Sequence, residues 1–192
     1  ITVGTTADDP TIRKALAIGA NDAVRIDAEA SDAYFVAKQI AEYAKNENYD
    51  IILTGKETIN YNGAQIGGMI AEMLDIPFVS LATKLDVNGS TATLERDVKG
   101  GVEVIEVNTP FALSAAKGVA EQRIPNMRGI MNARSKELKV LNYDEADSVI
   151  SFDNYSVPTK KDEIKFFDKD DVNDLIEELK LKMDQSSDSV SK

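Results

Sequence analysis

One segment combines residue types and spacing that could do chemistry: Gly55-Lys56-Glu57-Thr58-Ile59-Asn60-Tyr61-Asn62-Gly63-Ala64-Gln65-Ile66-Gly67-Gly68-Met69. It follows the continuous apolar run Ile51-Ile52-Leu53, the pattern of a buried parallel strand. It leads into Ile66, Ile70, Met73 and Leu74, which share one face of a helix. Open α/β sheets bind ligands beyond the carboxyl ends of their strands. The first amides of a helix lack intrahelical partners and carry the positive end of its dipole, so a phosphate suits them. Gly63 would let the backbone approach a ligand closely, and Gly67 and Gly68 would let the helix press against the sheet. The segment matches neither GxGxxG nor a Walker A loop, because no Gly-Lys-Ser/Thr follows. Two readings of these residues stay open: an anion or nucleotide site, or a structural loop whose glycines only make turns.

Most other chemistries are excluded by composition. The 192 residues contain no Cys and no His, which removes disulfides, thiolate catalysis, Cys/His zinc sites and histidine triads. Without a nucleophile beside a matched base, a hydrolase has the least support. Asp and Glu number 33 against 22 Lys and Arg, a net charge of −11. Such a chain repels nucleic acid and anionic membrane surfaces alike. Hydrophobic residues at 43% and charged ones at 29% are the balance of a globular chain, not a disordered one. No apolar run reaches the roughly 20 residues needed to span a bilayer, and no signal peptide is visible, so a soluble, cytoplasmic protein without membrane insertion is expected.

The elements that must position the loop follow from local signals. Ile1-Thr2-Val3-Gly4 reads as the tail of a strand whose upstream partners are missing. Asp9 as N-cap, Pro10 at the first helical position and Gly19 as stop define a helix with Ile12 and Leu16 on one face. A short strand over 23–26, a helix over 32–45 and a strand over 50–55 follow. After Pro77 the pattern changes to strands over 78–87 and 91–98 about an Asn88-Gly89 turn. Gly100-Gly101 turns the chain again into 102–107, and 111–116 is a further apolar strand. Residues 118–136 look irregular and basic, and a polar linker runs from about 141 to 161. Asp170 or Asp171 caps a last helix with Val172, Leu175, Ile176, Leu179 and Met183 on one stripe, before a frayed Ser- and Asp-rich end. The expected fold is α/β: a parallel sheet with helices on both faces, an antiparallel hairpin annex and a carboxyl-terminal helical extension.

Three motifs in order carry a family resemblance: Asp9-Pro10-Thr11-Ile12-Arg13-Lys14-Ala15-Leu16-Ala17-Ile18-Gly19-Ala20, the 55–69 loop, and Glu121-Gln122-Arg123-Ile124-Pro125-Asn126-Met127-Arg128-Gly129-Ile130-Met131. Together they resemble the beta subunits of electron-transfer flavoproteins, from Ile1 to about Lys139. The resemblance implies an adenine-nucleotide-binding, Rossmann-like domain over 1–140, incomplete at its amino terminus, and over 141–192 a linker and helix that pack on an alpha subunit. It implies an electron carrier without bond chemistry of its own. FAD would be held mainly by the alpha subunit, with electrons arriving from acyl-CoA dehydrogenases and leaving for a quinone oxidoreductase. A structural AMP would lie against Val3, Gly4 and the run Gly55, Lys56, Glu57, Thr58, Ile59, Asn60, Tyr61, Asn62, Gly63, Ala64, Gln65 and Ile66, its phosphate on the amides of the last three.

The common form of that loop is Asp-rich with an Asn-Gln pair before the helix; here Ala64-Gln65 stands in that place. Flavin-bifurcating relatives carry Ala-Gln there and hold a second FAD in the pocket, but this chain lacks their Asp-Gly-Asp-Thr, which favours AMP. The resemblance also makes Arg123, Met127, Arg128, Ile130 and Met131 a dehydrogenase recognition segment, with Met127 as the inserted anchor, and places Asp97 against the mobile flavin domain of alpha. The residues alone allow Met127 to be a core side chain of a short helix and Asp97 a solvated strand-end charge. A rival from another class is a non-redox adenine-nucleotide sensor, which would be colourless.

Overall fold

The computed structural model describes residues 1–59, 61–144, 149–151, 153–158 and 164–190, with side chains to residue 183. Local chemistry starts the first helix differently from the expectation. Thr5 caps a 3-10 turn over Thr6–Asp8, accepting the amide of Ala7 at 3.3 Å while its own amide donates to Asp8 Oδ2 at 3.0 Å. Helix α1 (Asp9–Ile18) grows directly from that turn, so Asp9 is its first residue, not its cap, and Pro10 its second. Because Thr5 already caps the turn upstream, the Asp9 carboxylate is released for an ion pair with Arg25 Nε at 2.8 Å. Gly19 ends the helix at φ 135°.

Around α1 run β1 (Thr2–Gly4) and β2 (Ala23–Asp27), followed by α2 (Ala33–Ala44), β3 (Ile51–Gly55), α3 (Ile66–Leu74), β4 (Phe78–Asn88), β5 (Thr91–Val98), β6 (Gly101–Asn108), β7 (Phe111–Ala115), α4 (Met127–Ser135) and β8 (Leu138–Asn142). All belong to one compact unit, Ile1–Phe152; the second unit is Asp153–Lys192. The α/β class, its parallel pairings and the antiparallel annex are as the sequence predicts. The strands form two sheets. One is fully parallel, in the order β1-β2-β8. The other runs β3-β7-β4-β5-β6, with parallel pairing from β3 to β4 and antiparallel pairing beyond. Val79, Ala82, Ala92, Leu94, Phe111 and Leu113 form the core of the mixed sheet.

β3 is a parallel strand but less buried than its apolar run suggests. Its only partner among the described strands is β7, and Leu53 is 57% exposed. β1 likewise pairs only with β2. Ile1, Val24, Ile51, Leu53 and Ile70 line a groove of about 260 Å³ between the two sheets. The β4–β5 hairpin opposes Asn88 to Thr91, so its two-residue loop is Gly89-Ser90, one position later than Asn88-Gly89, with Gly89 at φ 61°.

A further difference concerns residues past 140. β8 ends at Asn142, and the chain then stays tied to α2. Gln39, buried, both donates to Asp144 O at 2.8 Å and accepts its amide at 2.9 Å. Asp32 caps α2 through the amide of Phe35 at 2.7 Å, and its second oxygen accepts the amides of Val149 at 2.6 Å and Ile150 at 3.0 Å. Asp32→Ala is expected to cost about 2 kcal/mol, the upper end for a lost cap, because the amides of Val149 and Ile150 lose their acceptor as well. Urea unfolding checks this; an unchanged midpoint would refute the role, and Asp32→Asn should recover part of the loss.

In the second unit α5 (Val172–Val190) follows Asp171 directly, and Lys165 pairs with Glu178 at 2.6 Å. Val172, Leu175, Ile176 and Leu179 are exposed in that unit, as is Met183. Among the described residues no helix is long and apolar enough to cross a membrane.

Candidate functional site

The loop after β3 is closed by Thr58. Its amide donates to Gly63 O at 2.9 Å, its carbonyl accepts the Asn62 amide at 2.9 Å, and its hydroxyl accepts the Gly63 amide at 3.0 Å. Asn62 takes the left-handed conformation at φ 55° that this reversal needs. Lys56 and Glu57 form an ion pair at 3.1 Å, and Ile59 is fully exposed at the loop tip. Asn60 lies outside the described residues. At Gly63 the space where a side chain would stand is filled by the Tyr61 ring, 2.2 Å from an added Cβ. In this conformation the Tyr61 ring makes the close approach there.

α3 begins at Ile66 with Gln65 in the cap position, and the Gln65 side chain makes no cap hydrogen bond. α2 and α4 are both capped, by Asp32 and by Asn126. The amides that open α3, next to exposed Ala64 and Gln65, therefore lack the side-chain acceptor that α2 and α4 have; α1 lacks one too, but it grows directly out of the 3-10 turn before it. The helix is pinned to the sheet through Gly67: a Cβ there would stand 2.5 Å from Thr54 Oγ1 and 2.9 Å from the Phe78 ring. Gly68 is different, since its added Cβ would meet Phe78 at an ordinary 3.7 Å. Only one of the two glycines is needed for helix–sheet contact.

Val3 and Gly4 lie in the other sheet, at the carboxyl end of β1. That end is held by Arg25, a residue the sequence reading passed over. Arg25 is 2% exposed, donates to Gly4 O at 3.0 Å and pairs with Asp9 and Asp27. The signal was present: a lone Arg inside the apolar run Ala23–Ile26 needs buried partners. The Asp27 hydrogen bond, ahead of the other neighbours, raises the guanidinium pKa. Thr58 was placed in the loop by the sequence, but its closing bonds to Asn62 and Gly63 depend on the loop's path.

The recognition segment differs from the irregular stretch expected. Residues 121–126 carry no regular secondary structure, as expected, but α4 then starts at Met127, because Asn126 accepts the Gly129 amide at 2.8 Å. Polar residues and Gly129 hide the helical period. Met127 is 75% exposed, Met131 66% and Ile130 41%, with Arg123 and Arg128 also exposed. Asp97 sits exposed near the end of β5, opposite Val102. Among the described residues no cluster of carboxylates could hold a metal.

The fold is an α/β domain with a parallel sheet, a mixed sheet and a glycine-bearing loop opening a helix, and comparison makes the class specific. The electron transfer flavoprotein domain model matches residues 1–146, and the chain belongs to that family. Its similarity is to beta subunits. The electron transfer flavoprotein subunit beta of Bacillus subtilis is 38% identical over 151 residues, and that of Thermoanaerobacterium thermosaccharolyticum is 37% identical over 151. The subunit of Sus scrofa is 32% identical over 136 residues. These alignments cover 77%, 77% and 68% of this chain and 59%, 58% and 53% of the relatives. The chain thus spans little more than half the length of the curated relatives it matches.

Proposed function

We propose that this chain acts as the beta subunit of a heterodimeric electron-transfer flavoprotein. FAD is held mainly by an alpha subunit, electrons arrive from acyl-CoA dehydrogenases, and they leave for a quinone oxidoreductase. The observation that carries the nucleotide part is the uncapped start of α3 beside exposed Ala64 and Gln65. Those amides and that of Ile66 offer a phosphate the acceptor role that Asp32 and Asn126 fill on α2 and α4. AMP suits the site: one phosphate for one helix start, with the loop of Gly55 to Gly63 and the Val3-Gly4 strand end flanking it. Asp97 faces the alpha subunit's flavin domain from the annex. The chain's contribution is to bind, orient and recruit, while the flavin supplies the electron chemistry.

Docking is assigned to the 123–131 segment. Met127 is the most exposed side chain of α4's apolar residues, which fits an anchor and not a core role. Met127→Ala in the heterodimer is expected to cost about 1–3 kcal/mol of dehydrogenase binding, as apolar interface anchors do. It reads as a higher KM for the carrier in electron transfer from an acyl-CoA dehydrogenase, with melting temperature and FAD content as in the parent. A lower melting temperature with unchanged transfer would overturn the assignment.

A further inference from the structure

α1 and α4 are locked together by an exchange of caps. Arg13 of α1 donates to Ala133 O at 2.8 Å and Lys136 O at 2.7 Å, at the end of α4. Lys136 in turn donates to Leu16 O at 3.0 Å and to Ala20 O, at the end of α1. Gly129 brings the helices close: a Cβ there would stand 2.3 Å from Ala17 O. Each helix's last carbonyls thus take a cation from the other, where the dipole favours one. The pair is a rigid unit, and Arg13 and Lys136 are occupied in holding it.

Beside this lock lies a cavity of about 600 Å³. Pro10, Ala17, Pro125 and Ile130 give it an apolar lining, and Lys14 and Arg134 line it as well. Lys14 and Arg134 are exposed, as are Arg123 and Arg128 nearby in the chain. None of the four pairs with a carboxylate among the described residues. Such unpaired basic residues are notable in a chain of net charge −11. The apolar lining continues onto an exposed apolar surface through Ile130, which lines the cavity and belongs to the same helix as Met127 and Met131.

We infer that the α1–α4 groove is a socket for an apolar side chain carried on an acidic segment of the dehydrogenase partner. Resting on the docking reading above, this makes the interface reciprocal: Met127 enters the partner, and the partner enters the groove. Two features select a protein over a small amphiphile. The apolar surface extends beyond the cavity along α4, and the cations are spread over both helices and the preceding loop instead of converging on one carboxylate. The partner's carboxylates meet Lys14 and Arg134, which speeds encounter and sets orientation, while the apolar lining supplies the desolvated contact. The lock means that the socket exists before binding and costs no ordering.

Because the chain has no Cys, one introduced thiol is its only one. Heterodimer carrying Lys14→Cys is labelled with a maleimide, and the modification of this chain is read by mass, with and without an acyl-CoA dehydrogenase. Labelling should slow several-fold with the dehydrogenase, while Glu47→Cys, exposed after α2, labels at one rate throughout. Equal rates at Lys14→Cys would overturn the socket. Protection by oleate alone would make the groove a small-molecule site and also overturn it; protection that grows with carrier concentration alone would assign it to a second copy. In parallel, Lys14→Glu with Arg134→Glu should raise the KM for the carrier about tenfold at low salt, with the gap closing as salt rises. If Met127→Ala weakens transfer but the charge reversals do not, the socket falls and the docking reading stands. If neither does, both fall.

Discussion

Phe111→Ala is expected to destabilise the first unit by about 3–5 kcal/mol, the cost of removing a fully buried aromatic ring. Phe111 is 0% exposed at the start of β7, the strand that joins β3 to β4. Its amide donates to Asp50 O at 3.1 Å, directly before β3, and its ring belongs to the cluster of Val79, Leu94 and Leu113. Removing the ring opens a cavity between the parallel part of the sheet and the hairpin annex, which the stiff strands on both sides cannot close. Urea unfolding of the full chain measures it. A loss below about 1 kcal/mol would mean that the core lies elsewhere.

Gly67→Val carries the second large effect, and this one reaches the site. The added Cβ would overlap Thr54 Oγ1 at 2.5 Å and crowd the Phe78 ring at 2.9 Å. Thr54 is not free to swing aside without loss, because its hydroxyl donates to Leu113 O at 3.1 Å. The helix must lift from the sheet at its first turn, so a cost of about 1–3 kcal/mol or more is expected, typical of overpacking. The amides proposed to hold the phosphate move with that turn, and copurifying nucleotide should be lost. Gly68→Ala is the matched control. Its new methyl meets Phe78 at 3.7 Å, and Ala is the better helix former by up to about 1 kcal/mol, so stability should hold or rise. Equal tolerance of both substitutions would show that α3 is not pinned as described.

What was legible in the sequence was local. The helical spacing of Ala33, Val36, Ala37, Ile40 and Ala44 places α2 within a residue of its observed ends. The 55–69 loop is recognisable because strand, glycines and helix follow one another in the chain. What was not legible depends on contacts between distant residues or on chemistry that masks a period. The Ile51–Leu53 run marks apolar faces but cannot say that β3 is an edge; that follows from its pairing with β7, some 60 residues away. α4 hides because Gly129, a packing residue against α1, breaks the helical signal in an Arg-rich stretch. Arg25 looks like an intrusion in a strand until Asp9, Asp27 and Gly4 O surround it. The site shows the same limit. Its loop is continuous in sequence, whereas Val3 and Gly4 belong to the other sheet, so their part in it is a matter of tertiary placement.

The central claim is that this chain pairs with a flavin-bearing subunit and holds an adenine nucleotide at the start of α3. Coexpression with an electron-transfer flavoprotein alpha subunit, purification of the complex, denaturation and mass identification of the released nucleotides test it most directly. The account predicts a yellow heterodimer that releases one FAD and one AMP per complex. Two FAD and no AMP would place the chain in the bifurcating class. A colourless chain that remains alone beside the alpha subunit and releases no nucleotide would contradict the account.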